Sequence, residues 1–262
     1  MIRRRSAEYL LRVPYDGEEW EKDNYGHKRK GGVGKSSIVS NMAYILGKMN
    51  KSTFILDADL SLGNIDIMFG VVPKYNIKDL MEGTKNMEEI ITEGPCGIKI
   101  IPATSGISEF SNLSENERNV LFSSIQGLPE HDYLIVDTSA GISSNVIYFN
   151  AMSQSIFIVL TPDPASITDS YAVIKVLHKK TGRKDFNIIV NMVRDEKEAL
   201  EIFKNIVNVT DKFLDVYLDY SGYIPVDRNI NVATRKQKLW VERFPDASAT
   251  QALVQICNRL LS

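Results

Sequence analysis

Apolar residues fall into two rhythms along this chain. Short unbroken runs, each closing on a polar residue, alternate with longer stretches in which apolar positions recur every three or four residues. The runs are Thr53-Phe54-Ile55-Leu56 ending in Asp57-Ala58-Asp59, Gly97-Ile98-Lys99-Ile100-Ile101-Pro102, Tyr133-Leu134-Ile135-Val136 ending in Asp137, Ile156-Phe157-Ile158-Val159-Leu160 ending in Thr161-Pro162-Asp163, and Phe186-Asn187-Ile188-Ile189-Val190 ending in Asn191. Runs of this length and β-branched content read as strands buried on both faces. Ile38, Val39, Met42, Ala43, Ile45 and Leu46 keep helical spacing, as do residues 114–125, 166–179, 197–207 and 247–261, with shorter helical pieces at 77–81 and 87–91. Ser114-Glu115-Asn116-Glu117 has the form of a capping box. Residues 214–218 are a further strand candidate. Strands alternating with helices predict an α/β fold of three layers, a mostly parallel central sheet covered by helices on both faces.

The first thirty residues break this pattern. Leu10-Leu11-Arg12-Val13 can form a strand, but residues 16–27 are polar and partly acidic and read as loop. Three accounts are open. The sheet lacks a first strand or takes it from residues 9–15 with a long excursion; the segment packs elsewhere or onto another subunit; or a shifted reading frame has replaced the natural start. The expected organisation is an atypical segment, 1–29, and one domain, 30–262, with no linker or internal repeat.

The segment Lys30-Gly31-Gly32-Val33-Gly34-Lys35-Ser36-Ser37 opens the first helical stretch. Glycines there let backbone N–H groups wrap a phosphate, and the helix dipole adds to the attraction. Lys35 would reach the β- and γ-phosphates of a nucleotide, the Ser36 hydroxyl would ligate Mg²⁺, and Ser37 would sit near the α-phosphate. Arg29 stands where the strict loop pattern has glycine, at a bend that favours a residue without a side chain. Lys30 is either a solvated member of the run Lys28-Arg29-Lys30 or a cation that crosses to a phosphate held by a second subunit.

Asp57 and Asp59 lie two residues apart at a strand end, so both can emerge on one side. That end is where ligands bind in open α/β sheets. One can orient an attacking water while the other holds a water on Mg²⁺. Asp137 suits a metal site reached through water, and Thr138-Ser139-Ala140-Gly141 a loop beside the γ-phosphate. Asn191 offers the donor and acceptor that an adenine edge needs. Pro225-Val226-Asp227 is a weaker candidate for the base pocket. Asp163 is expected to cap the helix that follows it.

Composition narrows the classes. Hydrophobic residues make up 44% and charged residues 24% of 262, with formal net charge −2. Nothing there calls for a polyanionic partner, although residues 175–183 and 235–238 are locally basic. Cys96 and Cys257 form neither a metal spacing nor a disulfide framework, which fits a reducing compartment such as the cytoplasm. No apolar run reaches membrane-spanning length. The basic start is followed by a stretch broken by Glu8 and Arg12 and does not read as a signal peptide.

On Lys30 to Ser37, Phe54-Ile55-Leu56-Asp57-Ala58-Asp59-Leu60, Gly63-Asn64-Ile65-Asp66, Tyr133 to Gly141 and Val159-Leu160-Thr161-Pro162-Asp163-Pro164, the sequence resembles the MinD/ParA class of deviant Walker ATPases within the SIMIBI P-loop NTPases. Asp59 to Gly70, Ile224-Pro225-Val226-Asp227 and Ala233-Thr234-Arg235-Lys236-Gln237 look most like its FlhG group (also FleN or YlxH), regulators of flagellar number and placement. The resemblance implies ATP/ADP and Mg²⁺ as ligands, slow ATP hydrolysis, and an ATP-dependent homodimer. It makes Lys30 the lysine acting across the dimer and Asp57 the hydrolytic aspartate. Lys35, Ser36, Asp59 and Asp137 fall around phosphate and metal. It also implies contact with the inner membrane face through a C-terminal helix, and with the GTPase FlhF and flagellar C-ring or regulatory proteins.

Three departures qualify this: Arg29, the missing strand before the loop, and the lack of an Asp-Gln-Ala element near the start. Leu253, Ile256, Leu260 and Leu261 form an apolar stripe with Arg259 as the nearby base, so the last helix is expected to face the core rather than a membrane. The rival readings are a ParA-like DNA-partitioning ATPase and a nucleotide-binding scaffold that does not turn over. Nucleic acid is not expected as a partner, and a metal-cluster carrier would need a Cys-x-x-Cys pair.

Overall fold

A computed structural model of the chain describes residues 8–10, 32–60, 63–104 and 113–261. Strands β1 (Glu8–Leu10), β2 (Thr53–Ala58), β3 (Thr92–Glu93), β4 (Lys99–Ile101) and β5 (Tyr133–Thr138) pair in the order β1-β5-β2-β4-β3. β6 (Phe157–Leu160), β7 (Asp185–Val193) and β8 (Tyr217–Pro225) pair in the order β6-β7-β8. Every pairing is parallel except β3 with β4.

Side chains that alternate along the strands build two apolar layers. Ile55, Tyr133, Ile135, Phe157, Val159, Ile189 and Ile224 face one way, into a single core with α1 (Lys35–Lys48), α10 (Trp240–Arg243) and α11 (Ser248–Leu260). That core runs across both strand groups and makes them one layered body. On the opposite face, Phe54, Leu56, Leu134 and Val136 meet α3 (Ile77–Met81), α4 (Met87–Ile90), α5 (Glu115–Gln126) and α6 (Ser144–Met152). Ile158, Leu160, Ile188 and Val190 meet α7 (Pro164–Thr181) and α8 (Glu196–Phe213). Each fully buried Ile, Leu or Phe contributes about 1.5–3 kcal/mol. The three-layer α/β expectation holds.

The capping box at Ser114 is present, with Glu117 returning to the Ser114 N–H at 2.7 Å. Asp163 caps α7 through the Ala165 N–H at 2.9 Å. Of the expected α11 stripe, Leu253 and Ile256 are buried and Leu260 packs against the core, while Leu261 is exposed. Among the described residues no helix is long and apolar enough to cross a membrane.

Two expectations shift. The strand expected at 214–218 runs Tyr217–Pro225, through Asp219 and a register shift opposite Ile188 and Ile189. Its polar residues hide a period that the bulge interrupts. A first strand exists: Glu8, Tyr9 and Leu10 pair with Tyr133, Leu134 and Ile135 of β5. It overlaps the expected 9–15 at Tyr9 and Leu10, and residues 11–31, which include the rest of that stretch, lie outside the described residues. The helices α6, α2 (Ile65–Phe69), α9 (Arg228–Arg235) and α10 gave no sequence signal. Buried Asn145 and Asn150 obscure the period of α6, and the others span only one or two turns.

Candidate functional site

α1 begins without a side-chain cap. Its N-cap, Gly34, has φ 90° and ψ 21°, and no acidic residue lies in the first turn. α3, α4, α5, α6, α7, α8 and α9 each receive a side-chain cap, whereas α2, α10 and α11, like α1, do not. The first N–H groups of α1 are thus left for an anion. Glycine is required at 34 twice over. The left-handed φ disfavours a side chain, and a Cβ there would sit 2.7 Å from Asn191 Nδ2.

Asn191, buried near the C-terminal end of β7, holds the loop from behind. Its Nδ2 donates to the Val33 carbonyl at 2.8 Å, and its Oδ1 accepts from the Met192 N–H at 2.9 Å. Asn191, the residue expected at the adenine edge, braces the loop backbone in this structure. From the other side, Trp240 Nε1 donates to Ser37 Oγ at 3.1 Å. Asn41 Nδ2 donates to the Ser37 carbonyl at 2.7 Å, while its Oδ1 accepts from the Val241 N–H at 3.0 Å.

The carboxylates come together through the sheet. β2 and β5 are in register, so Asp57 pairs directly with Asp137 and Ala58 with Thr138. Both aspartates are 2% exposed. Burial pushes the Asp137 carboxyl up to about 6, against the Ser36 hydrogen bond and the Lys35 charge, which pull it down. Burial and then the neighbouring Asp137 push Asp57 well above the usual carboxylate range. Asp57 Oδ2 accepts from the Ile65 N–H at 3.1 Å and Oδ1 from the Asp59 N–H at 3.2 Å. Asp59 lies just past the strand end, half-buried, and its charge acts on both other carboxylates.

Gly63 allows this arrangement. A Cβ there would meet Asp57 Oδ2 at 2.6 Å and Ala103 Cβ at 2.5 Å. Nothing in the sequence alone assigned that role to Gly63, or bracing roles to Asn41 and Trp240. A glycine soon after an Asp-ended strand was the one available signal. Pro225 ends β8 beside β7, and Asp227 accepts from Asn229 N, Ser248 Oγ and Ala249 N. Asp227 therefore ties α9 to α11. Lys30 and Gly31 lie outside the described residues. Gly32 is exposed, with open space where its side chain would be.

These residues fit a nucleotide with a divalent cation. The helix start is uncapped, the Ser36 hydroxyl and Lys35 face Asp137, and burial raises the pKa of two adjacent carboxylates. The Thr138 hydroxyl, next to Asp137, is buried without a hydrogen-bond partner among the described residues. Buried polar groups are normally paired, so an orphan at this point suits a group that a ligand completes.

A family model described as an AAA domain matches residues 27–190. The chain is 36% identical over 232 residues to the antiactivator FleN of Pseudomonas aeruginosa, covering 88% of this chain and 83% of that protein. It is 35% identical over 235 residues to the flagellum site-determining protein YlxH of Helicobacter pylori, covering 89% and 79%. Among solved structures, the MinC:MinD cell division complex of Aquifex aeolicus matches with TM-score 0.73 at 25% identity, over 97% of this chain and 96% of that one. MinD of Pyrococcus horikoshii with Mg-ADP matches with TM-score 0.74 at 19% identity, over 97% and 96%, a likeness of fold.

Proposed function

This chain belongs to the MinD/ParA family of P-loop ATPases, and from that premise we propose that it is an ATP-driven switch setting the number or placement of flagella. The observation that carries the reading is the convergence of Ser36, Lys35, Asp57 and Asp137 at an uncapped helix start. The flagellar assignment is supported by likeness to a flagellar antiactivator and a flagellum site-determining protein.

In this proposal the N–H groups of Gly32 to Ser37 and the Lys35 ammonium bind the phosphates. Ser36, with Asp137 behind it, would hold Mg²⁺, which supplies positive charge against the β- and γ-phosphates when bound. Lys30 from a second copy adds charge where it builds up as the γ-phosphoryl group leaves. The resemblance points to Asp57 as the residue that positions water. The geometry favours a division of labour instead. Asp57 has both oxygens accepting backbone N–H groups beside Asp137, which suits a fixed anion near the cation. Asp59, beyond the strand end, is better placed to orient an attacking water. A dimer closed over ATP would be the active state, and slow hydrolysis its timer. FlhF and flagellar C-ring or regulatory proteins are the proposed readers. Contact with the inner membrane face would need a surface other than Leu253 and Ile256 of α11, which lie in the core.

Phosphate release and Mg²⁺-dependent binding of a non-hydrolysable ATP analogue, measured on Asp57→Ala and Asp59→Ala, test the assignment. Asp59→Ala is expected to keep Mg²⁺-dependent binding and lose about a hundredfold or more in turnover. Asp57→Ala is expected to lose both. Full turnover in Asp59→Ala removes that residue from the chemistry. Analogue binding by the parent chain with no phosphate release would favour a non-hydrolysing scaffold over the switch.

A further inference from the structure

Residues 228–243 carry five basic side chains, Arg228, Arg235, Lys236, Lys238 and Arg243, against one acid, Glu242, in a chain of net charge −2. All five are exposed. Several basic groups elsewhere are matched with carboxylates, among them Lys51 with Asp132, Lys78 with Glu82, Lys85 with Glu89 and Arg194 with Glu198. Arg228, Arg235, Lys236 and Lys238 form no ion pair with any described residue.

Uncovered apolar side chains lie among them. Val232 on α9 is 41% exposed. Lys238 reaches toward the end of α2, its Nζ 3.8 Å from where a Cβ on Gly70 would stand. Flanking that point, Ile67 is 46% and Val72 93% exposed. Predominantly positive charge beside exposed apolar groups suits an interaction surface.

The same elements grip the phosphate loop. α10 reaches α1 through Trp240 to Ser37 and Val241 to Asn41. α2 reaches it through Ser40 Oγ and Met68 Sδ at 3.5 Å. All three contacts fall on the first two turns of α1, the end that faces phosphate.

We infer that α9, α10 and the end of α2 form a docking surface for an acidic protein segment carrying one or two apolar side chains, and that α1 transmits its occupancy to the nucleotide loop. Carboxylates on such a segment complement the five cations, and its apolar groups complement Val232, Ile67 and Val72. Duplex nucleic acid supplies phosphates but no apolar groups. An anionic membrane is best matched by a longer helix with aromatic or leucine residues on its apolar face, whereas α9 has eight residues and Val232 is its exposed apolar one. Docking of this kind needs no hydrolysis and stands apart from the ATPase proposal.

The test uses the full chain with Trp20→Phe, which leaves Trp240 as the one indole of the two. A fluorescein-labelled peptide alternating Glu and Leu is expected to bind, to weaken with added salt, and to shift Trp240 emission. Arg235→Glu combined with Lys238→Glu should weaken it about tenfold or more, with ATP-analogue affinity unchanged. If that double variant does not fold, Val232→Asp alone should weaken the peptide. No peptide binding, equal binding by the charge-reversed protein, a silent Trp240, or preference for phosphatidylglycerol vesicles or a DNA duplex each overturn the proposal.

Discussion

Two residues show how the site stores cost for its ligand. Asn191 has both ends of its carboxamide engaged, and removing it strands the Val33 carbonyl in a buried position. Asn191→Ala is expected to lose about 1–3 kcal/mol in urea unfolding, and to loosen the loop enough to weaken nucleotide binding. Asp137 is the second case. Its folded value, about 6, lies above its ordinary 3.8. The native state therefore holds the proton more tightly, so the favourable contribution is complete below about pH 4 and is lost as pH rises past about 6. Asp137→Asn removes the buried charge but keeps an acceptor for Ser36. Its ligand-free Tm should exceed the parent's most at pH 7.5, by on the order of 3 kcal/mol of stability, and the gap should close below about pH 4. Equal gaps at both ends of a thermal-melt series would mean that Asp137 carries no such penalty.

At the scale of elements, packing outweighs local capping. Ile135 on β5 is fully buried in the core that spans both strand groups, while Ser114 caps an exposed helix start on α5. Ile135→Ala is expected to cost about 2–5 kcal/mol, and Ser114→Ala about 1 kcal/mol, both read from denaturant midpoints. β2 and β5 matter for more than stability. Their register sets Asp57 against Asp137, and a slip of one residue would turn one of the two to the far face. Strand position was legible because uninterrupted apolar runs announce it. Register between strands was not, since pairing joins residues some eighty positions apart.

For the whole molecule, the continuous core beneath α1, α10 and α11 makes the nucleotide loop and the surface of α9 and α10 parts of one packed unit. The proposed switch predicts that ATP-analogue and Mg²⁺ raise the mass in solution to twice the 29.5 kDa of the chain, and that ADP returns it to the monomer. Light scattering reads this directly. A chain that stays monomeric with saturating analogue would sink the dimer, whatever its phosphate release.

The chain order of apolar runs and helical stretches already specified a three-layer α/β protein, because periodicity is local and each run must bury its own side chains. The glycine loop, Lys35, Ser36 and the strand-ending aspartates were likewise legible, since phosphate binding needs particular residue types at short spacing. Folding alone settled how those parts meet. It brought Asn191 and Trp240 from 150 residues or more away onto the loop and set Gly63 against Asp57. It also set a first strand at Glu8–Leu10, overlapping the candidate Leu10–Val13 at Leu10 alone. Such contacts depend on which distant surfaces a shared core presses together, and no local spacing along the chain encodes that.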